Sequence, residues 1–210
     1  VQQQNPAGAG RGRVSPLAIK APYFAPIMKV LVGCARVRPA PAHRRRAGCR
    51  SFCIGLVMKT VFVLNGPNLN LLGTREPTLY GAQTLLDVEQ ICAKAAARNQ
   101  LALRFHQSNH EGALIDWLHE AGQLQRDGQL AGVVLNAAAY THTSVALMDA
   151  IKGADLPVIE LHISNVHARE AFRHHSYIAP VAKAVICGLG VQGYSIAIDA
   201  VAQVLLGQAA

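Results

Sequence analysis

The sequence predicts a doubly wound α/β domain around a five-stranded parallel sheet. Two observations carry that expectation. Short, unbroken β-branched and apolar runs alternate with stretches of helical periodicity, and all of them begin after Met58.

In chain order, Thr60–Asn65 is an apolar run closed by a turn, the pattern of a strand buried on both faces. A helix follows over 84–98, opened by Thr84 as N-cap with Asp87 three residues on, close to a capping box. The second strand is Leu101 to Gln107, then a helix over 111–124. The third strand is Leu130 to Asn136, with a helix over 143–152 behind it. Pro157 punctuates the start of the fourth strand, Leu156 to His162. Gly188 closes the fifth, Ala184 to Cys187, ahead of a last helix over 192–206.

Before Met58 the chain changes character. Its charges there are all positive: Arg11, Arg13, Lys20, Lys29, Arg36, Arg38, Arg44, Arg45, Arg46 and Arg50. From Met58 on, acids slightly outnumber bases, so the net charge of +8 describes the leading segment alone. Residues 1–57 are rich in Pro, Gly, Ala and Arg with no sustained periodicity, which predicts a basic, disordered extension. Its apolar pieces are too short and interrupted for a secretory signal. Met58-Lys59, directly before the first strand, reads as a natural initiation point, leaving 58–210 as the folded domain. No apolar run approaches the roughly 18 residues of a membrane helix. Five cysteines (Cys34, Cys49, Cys53, Cys92, Cys187) form neither a disulfide framework nor a zinc spacing, and a reducing cytoplasm fits. Cys92 and Cys187 read as buried, inert thiols.

In such sheets ligands bind beyond the carboxyl ends of the strands, where strand order reverses. The ends of strands one, three and four read Asn65-Gly-Pro-Asn68, Asn136 to His142 and Glu160 to Asn165, polar throughout and expected to converge on one cleft. Gly188-Leu-Gly190-Val-Gln-Gly193 resembles a dinucleotide fingerprint in letters only. No further strand with an acid follows it, so close helix packing is the expected role. His162, His167, His174 and His175 lack the companions of a tetrahedral metal set.

The loop Gly66 to Gly81 is long for a βα connection and reads as a lid. It carries Arg75 and Tyr80. A guanidinium near a phenol favours tyrosinate and makes a general base accessible near neutral pH. A surface Arg and a Tyr packed under the loop fit the same letters. Glu160 and His162 stand two apart on an extended segment and so share one face of the sheet. A carboxylate beside an imidazole favours the charged ring and holds a proton for donation, although the two can equally satisfy each other at a strand end. A base on a lid and an acid on a strand end suit an elimination.

The strings Asn65 to Gly81, Asn109-His-Glu-Gly112, Asn136 to Ser144 and Glu160 to Glu170 together resemble the type II 3-dehydroquinate dehydratases, from about Met58 to Leu206. The resemblance implies a flavodoxin-like fold. It also implies dehydration of 3-dehydroquinate to 3-dehydroshikimate by anti elimination through an enolate, as the third step of the shikimate pathway, without metal, nucleotide or Schiff base. Carried onto this chain, Tyr80 is the base that takes the C2 proton and Arg75 activates it. Asn68 helps hold the enolate oxygen through a water, and His162 protonates the departing C1 hydroxyl with Glu160 orienting it. The backbone amides of Ile163 and Ser164 hold the carboxylate, and Asn136, His142 and Arg173 bind the ring hydroxyls. An Asp at the position of Asp149 reaches into a neighbouring subunit's site, and the expected assembly is a cytoplasmic homododecamer, a tetramer of trimers. No cofactor, membrane or nucleic-acid partner is implied. One departure is Ala137-Ala138, where the resemblance leads us to expect Pro-Gly. A catabolic role in quinate use, a flavodoxin-like binding domain without catalysis, and a nucleic-acid or membrane role for the basic arm are the alternatives.

Overall fold

A computed structural model describes residues 58–74 and 82–205. The expected extension 1–57, and the lid residues Arg75 and Tyr80, lie outside the described residues.

The expected strands are present: β1 (Thr60–Asn65), β2 (Ala102–Gln107), β3 (Leu130–Asn136), β4 (Val158–His162) and β5 (Ala184–Cys187). All neighbours pair in parallel, in the order β2-β1-β3-β4-β5. The strand order reverses between β1 and β3, whose last residues Asn65 and Asn136 are register partners. β4 starts two residues later than the sequence suggested. Leu156 donates its amide back to Ile151 O at 3.1 Å, and Pro157 has no N–H to give a ladder.

The helices are α1 (Leu85–Arg98), α2 (Glu111–Arg126), α3 (Val145–Gly153) and α4 (Gln192–Ala200). Thr84 and Asp87 close a reciprocal capping box on α1, the Thr84 amide reaching Asp87 Oδ2 at 2.8 Å and the Asp87 amide reaching Thr84 Oγ1 at 3.2 Å. Ser144 caps α3 through the Leu147 amide at 2.9 Å. The last helix, expected to run to 206, is α-helical only to Ala200 and continues as a π-helical turn over Val201–Leu205.

Because side chains alternate along a strand, β1 feeds two cores. Val61 and Val63 pack with Val88 and Cys92 of α1 and Ala197 and Ile198 of α4. Phe62 and Leu64 pack on the opposite face with Leu114 and Leu118 of α2 and Leu147 and Ile151 of α3. Cys92 is buried as expected, and burial pushes its thiol up to about 12. Cys187 is only half-buried, a correction to the sequence reading, because β5 is an edge strand covered on one side alone.

The glycine string after β5 serves packing. A Cβ on Gly193 would stand 2.9 Å from Leu161 Cδ1, so α4 lies directly against β4.

Candidate active site

The carboxyl ends of β1, β3 and β4 form one cleft. It is lined by Pro67, Asn68, Leu69 and Leu72 from the β1 loop and by Asn136, Ala138, Ala139 and His142 from the end of β3. The β4 side contributes His162, Ile163, Ser164, Val166, Arg169 and Arg173. The two loops at the switch point nearly touch, since a Cβ on Gly66 would fall 2.4 Å from Ala137 O. Asn68 is left-handed, at φ 66°, and its amide is held by Asn109 Oδ1 at 2.9 Å.

Below the cleft Glu160 is fully buried and His162 nearly so. His162 Nε2 lies 2.9 Å from Glu160 Oε1. The partner is a carboxylate, so Nε2 carries the hydrogen and Nδ1 is left for other work. Thr141 Oγ1 also donates to Glu160 Oε1, and Ser176 Oγ donates to both carboxylate oxygens, at 2.8 and 3.1 Å. Ser176 Oγ accepts the amides of Ile178 and Ala179 at 3.0 and 2.9 Å, which turns its hydroxyl hydrogen toward Glu160. Burial alone would push the Glu160 carboxyl up, but the hydrogen bonds from His162, Thr141 and Ser176 outweigh it and hold it below its ordinary value. Glu160 is therefore a fixed anion under His162.

His142 stacks near His162, with ring centroids 6.4 Å apart and planes 10° from parallel. Its Nδ1 sits 2.7 Å from the His175 carbonyl and so bears the hydrogen, leaving Nε2 as an acceptor. Burial lowers its pKa, and the charges of His162 and Arg173 lower it further.

The backbone after β4 is set from behind. Gly188 N donates to His162 O at 3.2 Å and Gly190 N to Ile163 O at 3.0 Å. In a trans peptide the next N–H points opposite to the carbonyl. The amides of Ile163 and Ser164 are thus turned away from the β5–α4 loop, and both residues line the cleft. At the rim Arg173 Nε bonds Glu170 Oε2 at 2.9 Å, and Arg169 Nε stands 3.5 Å from the same oxygen.

Of the residues singled out in the sequence, Asn68, Asn136, His142, His162, Ile163, Ser164 and Arg173 meet at this cleft, with Glu160 beneath. Asp149 does not. It is exposed on α3, beside His119 and Arg126. The sequence reading missed Thr141, Ser176 and Tyr194. The phenol of Tyr194 is fully buried, accepts from Asn136 Nδ2 at 2.8 Å and donates to Asn65 Oδ1 at 2.7 Å. A signal existed: Tyr194 sits on the apolar stripe of α4 with Ala197 and Ile198, and a buried phenol needs a partner.

Among the described residues no group of three or more His, Cys, Asp or Glu is placed to hold a metal ion, and no helix is long and apolar enough to cross a membrane.

Residues 59–202 match the family model of class II dehydroquinases. A 3-dehydroquinate dehydratase of Acidovorax sp. (strain JS42) is 75% identical over 145 residues, 69% of this chain and 98% of that protein. A protein of Pyricularia oryzae named catabolic 3-dehydroquinase is 58% identical over 151 residues, 72% of this chain and 94% of its own length. The crystal structure of a type II dehydroquinase from Butyrivibrio crossotus superposes with a TM-score of 0.65 at 40% identity, over 69% of this chain and 97% of that one. The family match runs through the buried Glu160–His162 pair at the end of β4, and this chain belongs to the type II dehydroquinase family.

Proposed function

We propose that this chain is a hydro-lyase that converts 3-dehydroquinate to 3-dehydroshikimate and water by anti elimination through an enolate. The observation that carries the proposal is the buried Glu160–His162 pair opening on the cleft. Tyr80, activated by Arg75, removes the C2 proton, and the electron pair moves into the C3 carbonyl to give the enolate. Asn68 holds the enolate oxygen through a water, in the manner of an oxyanion donor. The enolate then collapses, the C1–O bond breaks, and His162 gives its proton to the departing hydroxyl so that water leaves. The roles of Tyr80 and Arg75 rest on resemblance alone. That of His162 is supported by its 2.9 Å bond to the buried Glu160 carboxylate, which holds the ring at the cleft. The amides of Ile163 and Ser164 take the substrate carboxylate. His142 Nε2, Asn136 and Arg173 take the ring hydroxyls. Incubating the protein with 3-dehydroquinate tests the proposal: the product's conjugated enone absorbs in the ultraviolet, and no rise in that absorbance at high enzyme concentration refutes it.

The finer reading follows the same resemblance. The enzyme works at the third step of the biosynthetic shikimate pathway, in the cytoplasm, as a dodecamer in which Asp149 serves a neighbouring subunit's site. Its exposed position away from its own cleft is compatible with that role. Light scattering gives the assembly size, and a monomer with full activity would refute this part. Residues 1–57 stand outside the enzyme domain, a reading supported by the family match that starts at residue 59. Protein starting at Met58 should keep its turnover.

A further inference from the structure

We propose that Tyr194 is a positioning residue that fixes which way the Asn136 amide faces the substrate. Tyr194 is not among the cleft-lining residues. It acts through a relay of three buried side chains, Asn65, Tyr194 and Asn136, of which Asn136 alone reaches the cleft. The proposal rests on the reading of Asn136 as a ligand of a ring hydroxyl.

The direction of every bond in the relay is forced from one end. The His106 carbonyl can only accept, so the group 3.0 Å from it is the amide nitrogen of Asn65. Asn65 must then turn its oxygen to Tyr194, whose single hydroxyl hydrogen goes there. The phenol oxygen is left to accept, and Asn136 meets it with Nδ2. The Asn136 oxygen is thereby turned to the Ala138 amide, at 3.3 Å. A main-chain carbonyl at β2 thus determines the orientation of an amide at the end of β3, through a phenol on α4. What remains to the cleft is one N–H and one lone pair of Asn136, presented in a single handedness. Burial pushes the Tyr194 phenol further up from a value already high, against the pull of Asn136, so the hydroxyl keeps its hydrogen throughout the working range. Among the described residues the hydroxyl has no other hydrogen-bond partner than Asn65 and Asn136. An apolar ring would fill the same core position, leaving Asn65 held by the His106 carbonyl and Asn136 held only by the longer 3.3 Å bond from the Ala138 amide.

A double-mutant cycle tests this. Tyr194→Phe keeps the ring and removes the oxygen. In the otherwise unaltered enzyme it should lower kcat/KM for 3-dehydroquinate about tenfold, with most of the loss in KM. In an Asn136→Ala background the same substitution should change kcat/KM less than about twofold, although it lowers the melting temperature in both. An equal loss in both backgrounds overturns the proposal while leaving Asn136 as a ligand. If Asn136→Ala alone leaves kcat/KM unchanged, the ligand reading fails and the proposal falls with it. Should Tyr194→Phe not fold, Asn65→Ala breaks the relay one step earlier and must show the same dependence on Asn136, additivity again overturning the proposal.

Discussion

Glu160 and His162 stand 2.9 Å apart on one face of β4, buried beneath the cleft and joined through Nε2 of the ring. Replacing Glu160 with Gln keeps the shape and removes the charge. The amide can still accept from Nε2, but the negative charge beneath the proposed acid is gone. Glu160→Gln should lower kcat by roughly 10²-fold, and His162→Ala by about 10²–10⁴-fold, the range of a positioned acid. Steady-state kinetics check both, and near-normal turnover in the Ala variant would remove His162 from the mechanism.

Against burial, hydrogen bonds from His162, Thr141 and Ser176 hold the Glu160 carboxyl below its ordinary value, and that has a pH signature. An acid with a depressed folded pKa contributes its stability above the ordinary value of about 4.3 and loses it as the pH falls toward the folded value. Thr141→Val removes one hydroxyl donor at nearly constant volume. It should cost about 1–3 kcal/mol near neutrality. The acid-side fall in stability should also be smaller and end at higher pH, because it starts from the unfolded value and the folded Glu160 carboxyl rises toward that value. Thermal melts across pH 3–7 decide it: a curve displaced uniformly, with no change in the acid limb, would show that Thr141 does not act on Glu160.

Ala138 sits at φ 52°, a left-handed conformation that costs an L-residue about 1–2 kcal/mol. The resemblance led us to expect Gly here. Ala138→Gly removes the strain but adds freedom to the unfolded chain, worth about 0.4–1 kcal/mol the other way. We expect a net gain of up to about 1 kcal/mol, or roughly 2–4 °C in Tm for a domain of this size. A lower Tm in the Gly variant would contradict this account.

Tyr80→Phe deletes the proposed base's oxygen, and Arg75→Ala deletes the charge proposed to activate it. The Phe variant should lose about 10²–10⁴-fold in kcat. The Ala variant should lose kcat as well and move the base's apparent pKa upward, toward the ordinary phenol value of about 10. Because the two are proposed to act as a unit, the double variant should cost far less than the product of the singles. An unshifted pH profile for Arg75→Ala would leave Tyr80 without its activator.

No lysine is among the described residues that line the cleft. Treatment with borohydride in the presence of 3-dehydroquinate should therefore leave activity intact, since no imine is there to be reduced. Irreversible inactivation, with substrate mass added to the protein, would point to covalent chemistry instead.

The sheet was legible because parallel strands must be apolar through their length, and each run from Thr60–Asn65 to Ala184–Cys187 became a strand. What apolar character does not encode is position in the sheet, so the exposure of Val185 and the half-burial of Cys187 on the β5 edge were not foreseen. Glu160 and His162 were visible from their period-two spacing on one strand. Thr141, Ser176 and Tyr194 were not, because their partners come from elements 16 to 129 residues away and only the fold brings them together.

The amides of Ile163 and Ser164 owe their aim to Gly188 and Gly190, which pull on the carbonyls behind them. A receptor made of peptide units has no titratable proton and no side chain to lose. Drift in the letters at 163 and 164 leaves it intact, and acidification leaves its polarity unchanged. Its vulnerability lies some twenty-five residues downstream, in Gly188 and Gly190, which do not line the cleft, and a mutational map of the cleft walls alone would overlook it.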